Sequence, residues 1–113
     1  MQQDEEDHIE LRAVMDALGV IGGKWKFPVI FSLCKGKKRF NELEADLKSI
    51  SPRALSNALK DLEQNGLISR AVFPTVPVTV EYSLTAYGLE LQPVLKAIQA
   101  WGKKHREKIF RGE

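Results

Sequence analysis

The stretch ISPRALSNALKDLEQNGLISR, residues 50–70, decides how the whole chain is interpreted. Ser51 is a favourable N-cap because its hydroxyl can accept a hydrogen bond from a free amide of the first helical turn. Pro52 suits the first helical position, where no N–H is needed. Asn65 and Gly66 end the helix, because both residues tolerate the left-handed backbone found beyond a helix C-terminus. The stretch therefore predicts a helix with clear ends and a strand directly after it.

The predicted helix, residues 51–65, has two different faces. One face is apolar, with leucines at positions i, i+4 and i+7 beside an alanine: Leu55, Leu59, Leu62 and Ala58. At about 100° per residue, the opposite face carries polar side chains within roughly 60° of one another: Arg53, Asn57, Lys60 and Gln64. Most polar faces of this kind contact only water, so the pattern alone favours a solvated surface. The neighbouring elements have to decide between a solvated face and a binding face.

The composition is that of one globular domain. A chain of 113 residues is long enough for a single core, and 43% hydrophobic with 28% charged residues is ordinary for a soluble protein. The chain has no run of about 18 apolar residues, and its acidic start is unlike a signal peptide. The single cysteine, Cys34, excludes an intrachain disulfide and agrees with a reducing compartment. We therefore expect a cytoplasmic protein.

The charge is distributed unevenly along the chain. The net charge is +2, but the first ten residues contain five acidic side chains and neither Lys nor Arg. The remainder carries 17 basic and 10 acidic side chains, which is a net charge of +7. A basic body is compatible with a polyanionic partner such as nucleic acid, although many proteins with a modest lysine excess bind nothing charged.

The N-terminal part is predicted to pass from a tail into a helix. Residues 1–8 are polar, acidic and without periodicity, which is typical of a disordered tail, so we assign the folded domain to residues 9–113. Apolar residues at helical spacing then predict a first helix over about 9–20. The pair Gly22 and Gly23 ends it.

Two further helices are predicted between residue 24 and the stretch 50–70. The first begins near Lys24 or Trp25, since Pro28 is tolerated only in a first turn, where its missing amide would have no partner anyway. Its buried side consists of Val29, Ile30, Leu33 and Cys34. A shorter helix of about two turns follows, marked by Phe40, Leu43 and Leu47. About three residues separate this helix from the next one, which is the pattern of a helix-turn-helix.

A hairpin and a last helix are predicted after the helix of residues 51–65. β-branched and aromatic residues predict strands over 67–73 and 78–84, joined by a turn at 74–77. Thr85 can cap the helix that follows. Its apolar stripe is longer than one small domain needs: Leu91, Val94, Leu95, Ile98 and Trp101. Its end, residues 103–113, is expected to fray unless a second subunit covers it.

The order of these elements defines a fold. It predicts a mainly α protein with a small β-hairpin, namely a winged helix-turn-helix with extra N- and C-terminal helices. In such folds the recognition helix enters the major groove of DNA, and the hairpin lies along the flanking backbone.

Several short motifs carry a resemblance to a known family. They are IGGKW at 21–25, RFNEL at 39–43, IS at 50–51 followed by a leucine and LKDLEQNGLISR at 59–70, and VEYSLT at 80–85, followed by Gly88 and Trp101. With these motifs the chain resembles the HxlR-type winged-helix transcription regulators, relatives of the MarR-like group. The resemblance implies a prokaryotic, cytoplasmic, homodimeric regulator that binds double-stranded DNA at a pseudo-palindromic operator and dimerises through its terminal helices.

Two positions depart from the family pattern. Family members that sense oxidants or electrophiles often carry Cys-Pro just before the first helix, near the positions where this chain has Arg12 and Ala13. The resemblance therefore does not imply that sensing chemistry here. The wing tip commonly carries a basic residue where this chain has Thr79, so we do not expect an arginine of the tip to enter the minor groove.

The recognition helix supplies the main candidates for DNA contact. Arg53, in the first turn, can pair bidentately with guanine O6 and N7, and Asn57, one turn later, can bond adenine N6 and N7. Contacts to phosphate or through water suit Ser51, Ser56 and Lys60. Outside this helix we assign DNA contacts to Lys37, Lys38, Arg39 and Thr75. Loop lysines that only keep the surface solvated are the alternative.

A second set of residues is predicted to form a dimer interface. These apolar residues lie in the terminal helices: Leu11, Met15, Leu95, Ile98, Trp101, Ile109 and Phe110. A group of aromatic residues offers a cavity for an unidentified small-molecule effector, although aromatic residues at helical spacing are more often plain core: Trp25, Phe27, Phe31 and Trp101.

No catalytic, metal or cofactor site is predicted. Cys34 lies on an apolar stripe and is interpreted as a buried small hydrophobe, while the nearby Lys35, Lys37 and Lys38 leave a redox role as the alternative. The two histidines are far apart, and no nucleophile has a recognisable partner. The rival to a DNA-binding regulator is a winged-helix module that docks another protein.

Overall fold

The computed structural model describes residues 2–112, which form six helices and one two-stranded antiparallel sheet. The elements are α1 (Gln2–Ile21), α2 (Lys26–Leu33), α3 (Phe40–Leu47), α4 (Pro52–Gln64), β1 (Ile68–Phe73), β2 (Thr79–Leu84), α5 (Ala86–Leu89) and α6 (Gln92–Arg111). α3 and α4 are the helix-turn-helix, and the β1–β2 hairpin is the wing. The predicted fold class, a mainly helical winged helix-turn-helix with additional terminal helices, is confirmed.

Helix α4 begins and ends as its sequence predicts. The Ser51 hydroxyl accepts a hydrogen bond from the Ala54 amide at 3.1 Å, and Pro52 is the first helical residue. Gly66 adopts the left-handed conformation with φ +75°. Asn65, with φ −89°, does not. Gly66 alone therefore makes the left-handed step that leads into β1.

One hydrophobic core lies where α2, α3, α4 and the base of the wing meet. The predicted apolar face of α4 is buried throughout: Leu55, Ala58, Leu59 and Leu62. It packs with buried side chains of the neighbouring segments: Ile21, Val29, Ile30, Leu33, Leu43, Ile50, Leu67 and Ile68. Lys26 Nζ and Asp61 Oδ2, 3.7 Å apart, also join α2 to α4. α4 is therefore held by its apolar face, and its polar face is left at the surface.

The wing is attached to the loop that precedes α3. Its strands pair from Ile68 opposite Leu84 to Phe73 opposite Thr79. Lys38 and Tyr82 exchange two backbone hydrogen bonds, from the Lys38 amide at 2.9 Å and from the Tyr82 amide at 2.8 Å. These two hydrogen bonds tie the wing to the segment between α2 and α3.

Helix α1 is longer at its N-terminal end than predicted. It begins at Gln2, so the prediction of a disordered tail is wrong for residues 2–8, and residue 1 lies outside the described residues. Asp4 lies in the first turn, where the positive end of the helix dipole stabilises a carboxylate. The Gln3 side-chain amide donates to Asp7 Oδ1 one turn later, at 3.1 Å. These local interactions stabilise the helix over residues 2–8, although that segment has no apolar periodicity.

The predicted C-terminal helix is in fact two helices. Thr85 caps the short helix α5, because its hydroxyl accepts a hydrogen bond from the Gly88 amide at 3.0 Å. Pro93 lies in the first turn of α6, and since it has no N–H it cannot continue a helix from α5. α6 then runs to Arg111, so the segment 103–111, expected to fray in a single chain, is helical.

The two terminal helices project from the core. Among the described residues, Ile21 is the buried residue of α1, and α6 has none. The molecule is elongated, with extents of 60 × 41 × 22 Å. Within residues 2–112, no helix combines the length and hydrophobicity needed to cross a membrane. Because the described part of these two helices has Ile21 as its buried residue, the apolar side chains of α1 and α6 are mostly in contact with solvent in a single chain.

Candidate nucleic-acid interface

The outer face of α4 carries the side chains predicted to contact DNA. Arg53, Ser56, Asn57 and Lys60 are all exposed, whereas the apolar face of the same helix is buried. Within residues 2–112, no hydrogen bond or ion pair engages the Arg53 guanidinium, the Asn57 amide or the Lys60 ammonium. These polar groups therefore keep their full bonding capacity for a ligand.

Two hydroxyl groups of the predicted set already take part in the fold. The oxygen of Ser51 accepts the capping hydrogen bond, while its hydroxyl hydrogen can still donate to a phosphate. Thr75 is exposed in the wing connection, where its hydroxyl donates to the Pro77 carbonyl at 2.7 Å and lies 2.8 Å from Thr79 Oγ1. Thr75 therefore shapes the wing tip as well as being accessible there.

The three consecutive cations before α3 have different environments. Lys37 is exposed, and its Nζ lies 3.6 Å from Glu81 Oε1 on β2. Arg39 is exposed, and its backbone amide donates to Glu42 Oε1 at 2.8 Å, which caps α3. The Lys38 side chain is only 16% exposed. Two of the three cations are thus accessible to a phosphate, and the middle one is not.

Lys38 belongs to a polar cluster that sequence reasoning missed. Its ammonium is bonded to Asp46 and lies 3.1 Å from Ser32 Oγ. Ser32 is buried, and its hydroxyl donates to Asp46 Oδ2 at 2.6 Å. The hydrogen bond from Lys38, followed by that from Ser32, holds the pKa of the Asp46 carboxyl below its ordinary value. Lys38 therefore has a structural role in place of the predicted phosphate contact. No periodic pattern in the chain signals it.

The residues predicted to form a dimer interface are largely uncovered in a single chain. Met15 is 63% exposed and Trp101 is 66% exposed. The remaining members are exposed, except for the half-buried Leu95: Leu11, Ile98, Ile109 and Phe110. These side chains leave apolar surface open along both terminal helices.

Phe110 lies on a different side of α6 from Trp101. Nine positions at about 100° each put it roughly 180° from Trp101 around the helix. The Arg106 guanidinium lies 5.3 Å from the centroid of the Phe110 ring, in a cation–π contact. The predicted interface set therefore divides between two faces of α6.

The four aromatic residues considered for an effector cavity have different environments. Trp25 and Phe27 are half-buried against the core, as the core interpretation predicts, but that interpretation is wrong for Phe31 and Trp101, which are exposed. A cavity of about 230 Å³ lies elsewhere, between α1 and the α5–α6 segment. Its wall is mainly apolar: Ala17, Val20, Ile21, Leu67, Tyr87 and Leu91, with Asp16 and Glu90.

Cys34 is half-buried and packs against the core, so it is less completely buried than predicted. It terminates α2, where its backbone amide bonds to the Ile30 carbonyl. In the part of the chain that the structure describes, no group of three or more His, Cys, Asp or Glu side chains is arranged to hold a metal ion.

The whole arrangement corresponds to a known family. The family described as HxlR-like helix-turn-helix matches residues 20–110, which include the helix-turn-helix and the wing. The chain belongs to the HxlR-like helix-turn-helix family. It is a transcription regulator with a winged helix-turn-helix fold, as the resemblance of its motifs implied.

Relatives from different prokaryotes share most of this chain. YdeP of Bacillus subtilis, an uncharacterized HTH-type transcriptional regulator, is 43% identical over 103 residues, covering 91% of this chain and 80% of YdeP. An uncharacterized HTH-type transcriptional regulator of Methanothermobacter thermautotrophicus is 43% identical over 102 residues, covering 90% of this chain and 78% of the relative. The solved structure of the redox regulator HypR in its reduced form has a TM-score of 0.82 at 40% identity, covering 88% of this chain and 98% of HypR.

Proposed function

We propose that this HxlR-type regulator binds operator DNA as a homodimer, with α4 of each copy in a major groove. The observation that carries the proposal is the unbonded polar face of α4, held outward by the buried face behind it. Arg53 pairs with guanine O6 and N7, and Asn57 pairs with adenine N6 and N7. The two helices read half-sites about 34–36 Å apart, which makes the operator pseudo-palindromic.

Contacts to the DNA backbone set affinity and register in this proposal. On α4 they come from Ser51, Ser56 and Lys60. Outside α4 they come from Lys37, Arg39 and Thr75, all of them exposed. Such contacts carry no sequence information, but each neutralised phosphate makes binding more sensitive to salt. Lys38 is left out because its ammonium is bonded to Asp46 and Ser32.

The apolar surface along α1 and α6 supports the dimer. Trp101 and Met15 are among several large apolar side chains that solvent contacts in a single chain. Continuous exposed apolar surface on a soluble protein usually marks an interface, because burying it is favourable. We also propose a cytoplasmic location, which agrees with DNA as partner and with a single cysteine, and we propose no catalytic activity.

Selection of bound DNA from a random pool, followed by salt-titrated affinity measurement, tests the proposed function. We expect an enriched pseudo-palindromic sequence whose affinity falls steeply with salt. Arg53→Ala should lose discrimination at one position of each half-site, and Arg12→Ala, a matched change on α1, should not. Weak, salt-independent binding with no enriched sequence would favour the rival, a winged helix that docks a protein.

A further inference from the structure

The cavity between α1 and the α5–α6 segment has a buried apolar wall. Its volume is about 230 Å³. Ile21 and Leu67, which line it, belong to the core and are 6% and 3% exposed. The half-buried Val20 and Leu91 extend this wall, and the Tyr87 side chain, 60% exposed, lies where the cavity meets solvent. The cavity therefore offers an apolar surface to a molecule that enters it from solvent.

Two carboxylates line the same cavity. Asp16 belongs to α1, and Glu90 directly follows α5. Both residues are exposed, and no ion pair found within residues 2–112 involves either of them. None of the described residues that line the cavity is Lys, Arg or His. The cavity is therefore locally negative, although the chain as a whole has a net charge of +2.

An apolar wall combined with two carboxylates favours an organic cation as ligand. The carboxylates would repel an anion, and a hydrated inorganic cation gains nothing from apolar contacts. A bound metal ion needs more ligands than two carboxylates, and in the described chain no group of three or more His, Cys, Asp or Glu side chains could supply them. An ammonium on an apolar body places its charge near the carboxylates while the body is removed from water. The Tyr87 ring adds an aromatic face, which attracts cations.

The volume of the cavity limits the size of this ligand. An apolar cavity of about 150 Å³ holds a benzene molecule. The cavity here is larger, at about 230 Å³. It is still smaller than the roughly 300 Å³ at which pockets for drug-sized ligands begin. The matching ligand therefore has one ring, or a branched alkyl group of similar size, with a short chain that carries the ammonium.

Leu67 connects the cavity to the recognition helix and the wing. Its amide donates to the Leu62 carbonyl of α4 at 3.0 Å, and its own carbonyl accepts a hydrogen bond from the Thr85 amide at 3.0 Å. Gly88 of α5 lies so close to the Leu67 carbonyl that a Cβ atom would not fit there. A molecule in the cavity therefore contacts the residue at which α4, the wing and the α5–α6 segment meet.

We propose that this cavity binds a small organic cation with an apolar body. The ammonium lies near Asp16 and Glu90, and the apolar body lies against the wall around Leu67. The inference goes beyond the proposed function, because binding in this cavity requires no DNA.

Three probe molecules of nearly equal size separate charge from hydrophobicity: 2-phenylethylammonium is a cation, 2-phenylethanol is neutral and phenylacetate is an anion. Each is titrated into the ¹⁵N-labelled full chain at neutral pH and low ionic strength, and amide NMR shifts report the dissociation constant. An exposed charge pair changes affinity about two- to threefold, so two pairs should make the cation bind about fivefold more tightly than the alcohol. Phenylacetate should bind more weakly than either. The shifted amides should include those of Leu67 and Leu91.

A double variant, Asp16→Asn with Glu90→Gln, removes both carboxylates and keeps the side-chain shapes. The alcohol should bind it as it binds wild type, whereas the cation should lose its advantage over the alcohol. The matched control is Asp4→Asn with Glu107→Gln, which makes the same change in net charge on α1 and α6 away from the cavity. Asp4 lies about 18 Å from Asp16 along α1, at a rise of 1.5 Å per residue. The control should keep the wild-type preference for the cation.

Ala17→Leu tests whether the ligand's body occupies the cavity. Ala17 lines the cavity from α1, and leucine fills part of the space while remaining a good helix former. All three probes should bind this variant more weakly. Circular dichroism checks that it is folded, and a folded variant that binds every probe as wild type does would overturn the proposal.

The outcomes are independent of the proposed function. A preference for the cation that is lost with Asp16 and Glu90, and kept in the control, supports the cavity as a cation site. Equal affinity of the three probes, shifted amides elsewhere in the chain, or no binding at millimolar concentration overturns it. Since no DNA is present in these titrations, selection of bound DNA still decides the proposed function separately.

Discussion

Lys38 and Asp46 form an ion pair that joins the loop after α2 to α3, and the buried Ser32 hydroxyl of α2 bonds to the same carboxylate. The Lys38 backbone also pairs with Tyr82 of the wing through two hydrogen bonds. One residue therefore connects α2, α3 and the wing. Since the proposed DNA contacts lie on α4 and on the segments around it, this cluster sets the relative positions of the parts that have to meet one DNA surface together.

Replacing Asp46 with Asn is expected to lower the free energy of unfolding at neutral pH. The hydrogen bonds from Lys38 and Ser32 hold the pKa of Asp46 below its ordinary value, so folding favours the ionised carboxylate. That contribution is complete above the unfolded carboxyl pKa of about 4, and it is lost as the pH falls through the lower folded pKa. Urea unfolding of wild type and Asp46→Asn should therefore differ most near neutrality and converge in acid.

Asp16→Asn is the control for this titration, because it removes an exposed carboxylate of α1 that takes no part in the cluster. It should leave the urea midpoint close to that of wild type. A difference between wild type and Asp46→Asn that is unchanged from neutral to acid pH would contradict a stabilising role for the ionised Asp46.

Leu55→Ala is expected to destabilise the fold by about 2–5 kcal/mol, because it removes a fully buried side chain between α4 and the core. Leu89→Ala on α5 is the matched comparison, since Leu89 is 45% exposed and its loss leaves a smaller cavity. Urea unfolding monitored by circular dichroism measures both. Equal losses for the two variants would be inconsistent with α4 being held by its apolar face.

Arg53→Ala is expected to weaken specific DNA binding by about 1–3 kcal/mol at constant salt, the contribution of one bidentate base contact. Lys60→Ala should weaken binding to all sequences and reduce the salt slope by about one, as loss of a phosphate contact does. Fluorescence anisotropy on the selected operator and on a scrambled duplex compares the two effects. An Arg53→Ala variant that retains full discrimination would remove Arg53 from the base contacts.

Trp101→Ala is expected to raise the dimer dissociation constant by at least about thirtyfold, because large aromatic side chains at the centre of an interface contribute about 2 kcal/mol or more. Phe110→Ala changes an equally apolar side chain on the other side of α6 and should have a smaller effect. Sedimentation equilibrium measures both. Equal effects of the two substitutions would mean that the interface extends around α6 and includes the side that carries Phe110.

Much of the fold follows from short-range patterns. The ends of α4 were predictable because the Ser51 cap and the left-handed Gly66 act within one turn of the helix. Its buried face was predictable because helical periodicity alone brings the leucines together. The start of α1 was not, because the acidic residues 2–8 have no apolar period and their helix rests on dipole and side-chain interactions.

The residues of the candidate site also divide into those that a local sequence pattern predicts and those that only the packing reveals. Arg53 and Asn57 stood out because the helix that bears them is amphipathic, and an outward polar side chain needs no tertiary partner. Lys38 resembled its neighbours Lys37 and Arg39 in sequence. Lys38 lies in a loop, and its ammonium bonds to Ser32 of α2 and Asp46 of α3, so only the packing of α2 against α3 distinguishes it.

By itself, then, the sequence determined the helix-turn-helix, the wing and the residues of the α4 surface, since capping, periodicity and turn formation act between near neighbours in the chain. The tertiary structure decided which cation is structural and which aromatic residues are core. It also showed that the apolar stripes of α1 and α6 are left uncovered. Those properties depend on which segments meet in space, and burial and bonding partners are set only when the helices pack.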